Sequence, residues 1–109
     1  MIPEINQQQE NLAMLCQRYH VLELKLFGSA ATGAFLPATS DLDFIADFAD
    51  TQSADYADRY FDFAEALEKL FNRRVDLLTK RAIRNEYFRE EVERTAQVIY
   101  KDAHKKATA

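Results

Sequence analysis

The sequence predicts a small α/β domain (α+β in the looser sense): a mixed sheet of three strands or slightly more with helices packed against it. Three observations carry this. Segments with apolar residues at helical spacing alternate with short segments whose side chains alternate at period two. These segments follow in the order helix, strand, strand, helix, strand, helix, an arrangement that layers helices onto a sheet. Only two Gly and two Pro occur in 109 residues, so most of the chain must be regular structure. The length suits one domain, expected over about residues 4–101 with a flexible tail at 102–109.

Residues 4–19 carry Ile5, Leu12, Leu15 or Cys16, and Tyr19 on one side, the pattern of an amphipathic helix. Pro3 suits its first turn and Glu4 its positive end. Val21 to Phe27 is a strand; Leu22, Leu24 and Leu26 face one way, Glu23 and Lys25 the other, beside Val21 and Phe27. Gly28 to Gly33 reads as a tight turn into roughly one helical turn, and Pro37 to Ser40 as a loop. Asp41 to Phe48 is the second strand, with Leu42, Phe44, Ala46 and Phe48 toward the core. The longest helical pattern covers 54–72, with Ala57, Tyr60 or Phe61, Ala64, Leu67 and Phe71 inward. Val75 to Thr79 is a third strand, and Lys80 to Glu86 reads as helical. A last helix from Tyr87 to Tyr100 turns Phe88, Val92, Ala96 and Ile99 inward.

The composition is that of an ordinary soluble globular protein, 48% hydrophobic and 29% charged. A net charge of −4 argues against a broad electrostatic grip on nucleic acid, so no direct nucleic-acid partner is expected. The single cysteine, Cys16, excludes an intrachain disulfide and a cysteine metal cluster, and is compatible with a reducing cytoplasm. No apolar run approaches a membrane span, and the N-terminus lacks the basic-then-apolar pattern of a signal peptide. The expected location is therefore cytoplasmic.

The chemistry concentrates in Leu26 to Phe48. Residues i and i+2 of a strand project from one face, so Asp41 and Asp43 point together. Two carboxylates ~4 Å apart at an effective dielectric of ~20 repel by about 4 kcal/mol, unless one takes a proton or a cation sits between them. Asp76, within Val75-Asp76-Leu77-Leu78, joins them if its strand is a neighbour. Three carboxylates without His or Cys suit a hard cation such as Mg²⁺ or Mn²⁺ rather than zinc. Two such ions can activate an attacking hydroxyl and steady a leaving pyrophosphate. The Gly28-Ser29 turn, with a close-approach glycine and a hydroxyl at a helix start, is suited to the outer phosphates. It is not a Walker loop, because no Gly-Lys-Ser/Thr follows.

Gly28-Ser29, an eleven-residue spacer, Asp41-Leu42-Asp43 and a later Val75-Asp76-Leu77 together resemble the nucleotidyltransferase superfamily of DNA polymerase β type. The short length, and the run R-N-E-Y-F-R-E-E-V-E-R-T-A-Q-V-I-Y, look like its minimal nucleotidyltransferases, the MNT domains. The resemblance covers roughly Val21 to Tyr100 and implies the polymerase β-like palm fold. It implies Gly28 and Ser29 as the triphosphate-holding pair, with Ser40 as a further nucleotide contact. It implies Asp41, Asp43 and Asp76 as metal ligands and catalytic residues for Mg²⁺ or Mn²⁺, two ions, with Asp76 also the general base. MNT proteins act as antitoxins of HEPN-domain toxins, which are helical and ribonuclease-like. The implied activity is transfer of AMP from ATP to a tyrosine hydroxyl of that partner. One departure is Thr32, where many members carry Arg; phosphate charge must then be met by metal, backbone or another cation, with Arg73 and Arg74 as candidates by proximity to Asp76. Two alternatives stand beside this: a non-catalytic antitoxin that neutralises its partner by binding, and a transferase acting on a small-molecule acceptor.

The remaining conspicuous residues have plainer readings. Asp47 shares the parity of Asp41 and Asp43 but is expected at the far end of its strand, solvated. His20 and His104 read as surface residues and Cys16 as a small core residue. The acidic stripe Asp55, Asp58, Asp62, Glu65 and Glu68 is a solvated face or a surface for a basic partner. Tyr56, Tyr60, Phe61 and Phe63 exceed one narrow core stripe, so either one or two are exposed or the helix is buried over a wide face.

Overall fold

The computed structural model describes residues 3–28 and 41–102. Among them the elements are α1 (Pro3–Gln7), α2 (Gln9–Arg18), β1 (Val21–Phe27), β2 (Leu42–Phe48), α3 (Tyr56–Phe71), β3 (Val75–Thr79), a 3₁₀ turn (Lys80–Ala82), α4 (Glu86–Thr95) and β4 (Gln97–Lys101). The four strands form one mixed sheet in the order β3-β2-β1-β4. β1 pairs antiparallel with β2 and β4, and β2 pairs parallel with β3. Helix α3 is the crossover that a parallel β2–β3 pair requires. The expected α/β architecture is therefore present, with one more strand than three.

Apolar alternation is why β2 sits in the middle. Leu42, Phe44, Ala46 and Phe48 turn to one face and are buried, packed with Ile5, Leu12 and Cys16 of the first two helices and Phe63, Leu67 and Phe71 of α3. Phe63 and Phe44 are completely buried; removing each such side chain from water contributes about 1.5–3 kcal/mol. Phe61 turns outward at 68% exposure, so the surplus aromatics of α3 are partly a surface feature. Asn72 ends α3 in the left-handed conformation (φ 50°), which Asn tolerates well.

Several expectations are corrected. The helix over 4–19 is interrupted at Gln8, beside which the Gln9 side-chain amide donates to the carbonyl oxygen of Ile99 in β4 (2.6 Å). In β1 the register slips between Val21 and Glu23. An irregularity of this kind reverses side-chain parity, so Val21 enters the core at 1% exposure and Leu22, expected there, is half-buried. Lys80 to Glu86 is not a helix: a single 3₁₀ turn gives way to extended chain up to Asn85. Asn85 then caps α4, its side chain accepting from the N–H groups of Tyr87 (2.9 Å) and Phe88 (3.2 Å).

The helix expected to run to Tyr100 stops at Thr95, and Gln97–Lys101 crosses to the free edge of β1 as β4. Leu24 pairs with Tyr100 and Lys25 with Val98. Val98-Ile99-Tyr100 is a β-branched and aromatic run, which favours the pleated surface once a partner edge is offered. No helix among the described residues is long and apolar enough to cross a membrane.

Candidate active site

The parallel pairing of β2 with β3 sets Asp43 opposite Asp76, and the antiparallel pairing of β1 with β2 sets Phe27 opposite Asp43. Gly28, the next residue, therefore stands at the same end of the sheet as both carboxylates. It has φ +71°, and a Cβ built on it would overlap Asp43 Oδ2. Two separate reasons thus demand glycine here: the left-handed backbone and the closeness of the carboxylate. Asp41 lies one residue before β2, exposed, as Asp76 is; Asp43 is half-buried between them.

Burial pushes the Asp43 pKa up, and the charges of Asp76 and then Asp41 push it further. Asp43 therefore senses the charges of both other carboxylates. Among the described residues, however, no three acidic, His or Cys side chains are gathered into a metal cage. The donor chemistry still fits a hard cation. Mg²⁺ is usually held by one or two protein carboxylates, with substrate phosphate and water completing its octahedron.

The edge strand that carries Asp76 is held from outside by α3. The Tyr60 hydroxyl donates to the carbonyl oxygen of Leu77 (2.5 Å), and the Glu68 carboxylate accepts from the N–H of Val75 (3.2 Å). These groups stand where a further strand would bond, so the edge is capped by side chains. Burial, followed by Asp76 and Tyr56, raises the Tyr60 pKa, which keeps the hydroxyl a donor. On the inner side, the Leu42 N–H donates to the Arg74 carbonyl oxygen (3.0 Å), joining the starts of β2 and β3. The sequence offers Tyr60 as a core aromatic or one of a surplus of which one or two are exposed, and Glu68 as part of a stripe that is a solvated face or a surface for a basic partner. Their eight-residue separation, which returns to the same side of a helix, was the available signal.

Other expected residues fall elsewhere. Ser29, Thr32, Gly33 and Ser40 lie outside the described residues. Arg73 is paired with Glu4 (3.2 Å), so its charge is already used to tie α3's end to α1. Arg74 is exposed. Asp47 is half-buried rather than solvated and stands opposite Glu23 in the register. His20 is exposed, 4.0 Å from the Asp50 carboxylate. Cys16 is a core residue, its thiol pushed up to about 12 by burial.

Arg59 was missed as a core position. Its guanidinium donates to the carbonyl oxygens of Tyr19 (3.1 Å), Ala49 (3.0 Å) and Asp50 (2.8 Å), and pairs with Asp55 (3.2 Å). It thus ties the end of α2 to the β2–α3 connection. The four-residue spacing of Arg59, Phe63, Leu67 and Phe71 carried the signal.

The profile of the Nucleotidyltransferase domain family matches residues 10–99. A protein of Methanocaldococcus jannaschii, named as a candidate protein adenylyltransferase, is 34% identical over 80 residues, 73% of this chain and 78% of its own. A solved structure described as a minimal nucleotidyltransferase superposes with a TM-score of 0.70 at 29% identity, covering 84% of this chain and 89% of that one. The fold also matches, at TM-score 0.63 and 16% identity over 95% of this chain and 78% of that one, a chain from a complex of tri-AMPylated Shewanella oneidensis HEPN toxin with MNT antitoxin.

Proposed function

The chain belongs to the Nucleotidyltransferase domain family and is a nucleotidyltransferase, and from that premise we propose that it is an MNT antitoxin that transfers AMP from ATP to a tyrosine hydroxyl of a HEPN-type partner. The observation that carries the reading is the register Asp43↔Asp76 beside Gly28. It puts two carboxylates from non-adjacent segments next to a glycine that permits close approach. The name of the M. jannaschii relative and the AMPylated complex support the acceptor class.

In this reading Asp41, Asp43 and Asp76 hold Mg²⁺ or Mn²⁺, and Gly28, Ser29 and Ser40 contact the nucleotide. The cation, when bound, supplies charge neutralisation at the α-phosphate and lowers the pKa of the attacking hydroxyl. Gly28 lets the phosphate chain approach the backbone. Asp43 fixes the site between its two neighbours. Asp76, exposed at the outer strand, takes the proton of the incoming tyrosine. The tyrosine oxygen bonds to the α-phosphorus, the bond to the β-phosphate oxygen breaks, and pyrophosphate leaves. Most of the acceleration comes from positioning and charge neutralisation.

The test is incubation with Mg²⁺, labelled ATP and the HEPN-domain protein encoded beside the gene, with an Asp41→Ala, Asp43→Ala double variant in parallel. Label on the partner with the wild type alone is the expected result. Tight binding and neutralisation by both proteins without label would overturn it in favour of neutralisation by occlusion.

A further inference from the structure

The chain has five tyrosines, and four of them are occupied. The Tyr19 ring packs on Phe63, and Tyr56 and Tyr60 pack on Phe48. The Tyr60 hydroxyl is bonded to Leu77, and Tyr100 is half-buried against the core. Tyr87 is different: it is 85% exposed, although it lies in the first turn of an ordered helix. Nothing in the packing of the fold calls for an aromatic ring there.

Its place is set by the residues on either side. Val92 of α4 packs on Ile45 of β2. One helical turn earlier, about 6 Å back, the Phe88 ring meets the Phe27 ring edge-on (5.9 Å). Phe27 stands opposite Asp43 and just before Gly28. Helix α4 therefore runs over the carboxylate-bearing face with its N-terminal end, and Tyr87 with it, at the level of the transfer site. Tyr87 also shares a helix face with Glu90 and Glu91, both exposed. The site itself carries an exposed cation, Arg74, two residues before Asp76 on the opposite side of β2.

We propose that Tyr87 is itself an acceptor: one copy of the chain transfers AMP from ATP to the Tyr87 hydroxyl of a second copy. The inference rests on the transfer reading above, which makes a tyrosine hydroxyl the attacking group. The Tyr87 oxygen bonds to the α-phosphorus of ATP held by the acting copy. The bond from that phosphorus to the bridging oxygen of the β-phosphate breaks, and pyrophosphate leaves with the electron pair. The hydroxyl proton passes to Asp76 of the acting copy. The acceptor belongs to a second molecule because the displacement is in line. In that reading the leaving pyrophosphate lies toward Gly28 on β1 and attack comes from the side of Asp76 on β3. Within one molecule Phe88 holds the start of α4 on the β1 side, the leaving-group side. Between two copies, the acidic flank Glu90–Glu91 of one meets Arg74 of the other, a complementarity that orients the encounter more than it tightens it.

The experiment incubates the full chain alone with Mg²⁺ and labelled ATP and maps the adenylyl group by peptide mass spectrometry. Label on Tyr87 is expected, at a rate per chain that rises with chain concentration, and Tyr87→Phe should lose it while still labelling the HEPN-domain partner as wild type does. In a mixture, a tagged Asp41→Ala, Asp43→Ala chain supplies Tyr87 and a Tyr87→Phe chain supplies the site; label should appear on the tagged chain. Adding Glu90→Lys to the tagged chain should slow its labelling severalfold, as loss of a steering charge does. An unchanged rate overturns the role given to the acidic flank. Label on the partner but none on the chain alone overturns the inference and leaves the transfer reading standing. Label that persists in Tyr87→Phe overturns the assignment to Tyr87, and an unlabelled tagged chain in the mixture overturns transfer between copies. Label on neither chain nor partner overturns the transfer reading, and the inference with it.

Discussion

The two faces of β2 are made by alternate residues of one strand, yet they follow opposite rules. Leu42, Phe44, Ala46 and Phe48 are at most 5% exposed and pack beneath α2 and α3. Asp43 and Asp47, with Asp76 on the neighbouring strand, put carboxylates on the other face, where burial and then the charges of Asp76 and Asp41 raise the Asp43 pKa. The first face gains free energy from every side chain. The second gives some of it up. A strand can do both because period-two alternation separates them completely, and the packed face supplies the rigidity on which the charged face depends.

Four changes would break or sharpen that contrast. The largest effect is expected from Asp43→Asn, which should lower AMP transfer on the order of 10³-fold, the scale of losing one preorganised electrostatic group. The same variant should melt higher in the absence of divalent cation. The sign follows from the raised pKa: the folded state disfavours ionised Asp43, so the gain from Asn is present at neutral pH and vanishes as pH falls below the usual ~3.9. Parallel transfer assays and melting curves check both halves; a variant that melts lower would contradict the electrostatic account. On the other face, Phe44→Ala should cost about 3–5 kcal/mol in denaturant titration, a large part of a small domain's stability.

Gly28→Ala joins the two faces' concerns. The left-handed φ alone should cost about 1–2 kcal/mol, and the new methyl must displace the Asp43 carboxylate. Transfer should therefore fall further than the melting temperature accounts for, which a comparison at fixed fraction folded would reveal. The smallest effect is expected from Tyr60→Phe, which leaves the Leu77 carbonyl without its donor and should cost about 1 kcal/mol. Because that bond holds the strand of Asp76, the turnover rate should drop severalfold while the affinity for ATP is unchanged, a split that steady-state kinetics resolves.

Much of this was legible in the chain because it is written locally. The inward set Leu42, Phe44, Ala46 and Phe48 follows from alternation within eight residues, and Ile5, Leu12 and Cys16 from helical spacing within sixteen. Val21 and Leu22 exchanged roles because a bulge is a property of two paired strands, not of one. Tyr60, Glu68 and Arg59 looked like ordinary helix positions because their partners are backbone groups of other elements. The end of the last helix was misread because Gln97–Lys101 becomes a strand only where the edge of β1 is open to it.

By itself, then, the sequence determined the alternation that points Asp41 and Asp43 together, the glycine at the end of the first strand, and the helical and extended identity of most segments. These follow from steric and hydrophobic preferences that act within a few residues. Only the tertiary structure decided that β3 lies parallel to β2 in the register that faces Asp76 to Asp43, that β4 exists, and that the start of α4 stands at the carboxylate end of the sheet. Strand partners and register are chosen by burial of whole faces and by which edges remain unpaired, and segments more than thirty residues apart carry no local mark of that choice.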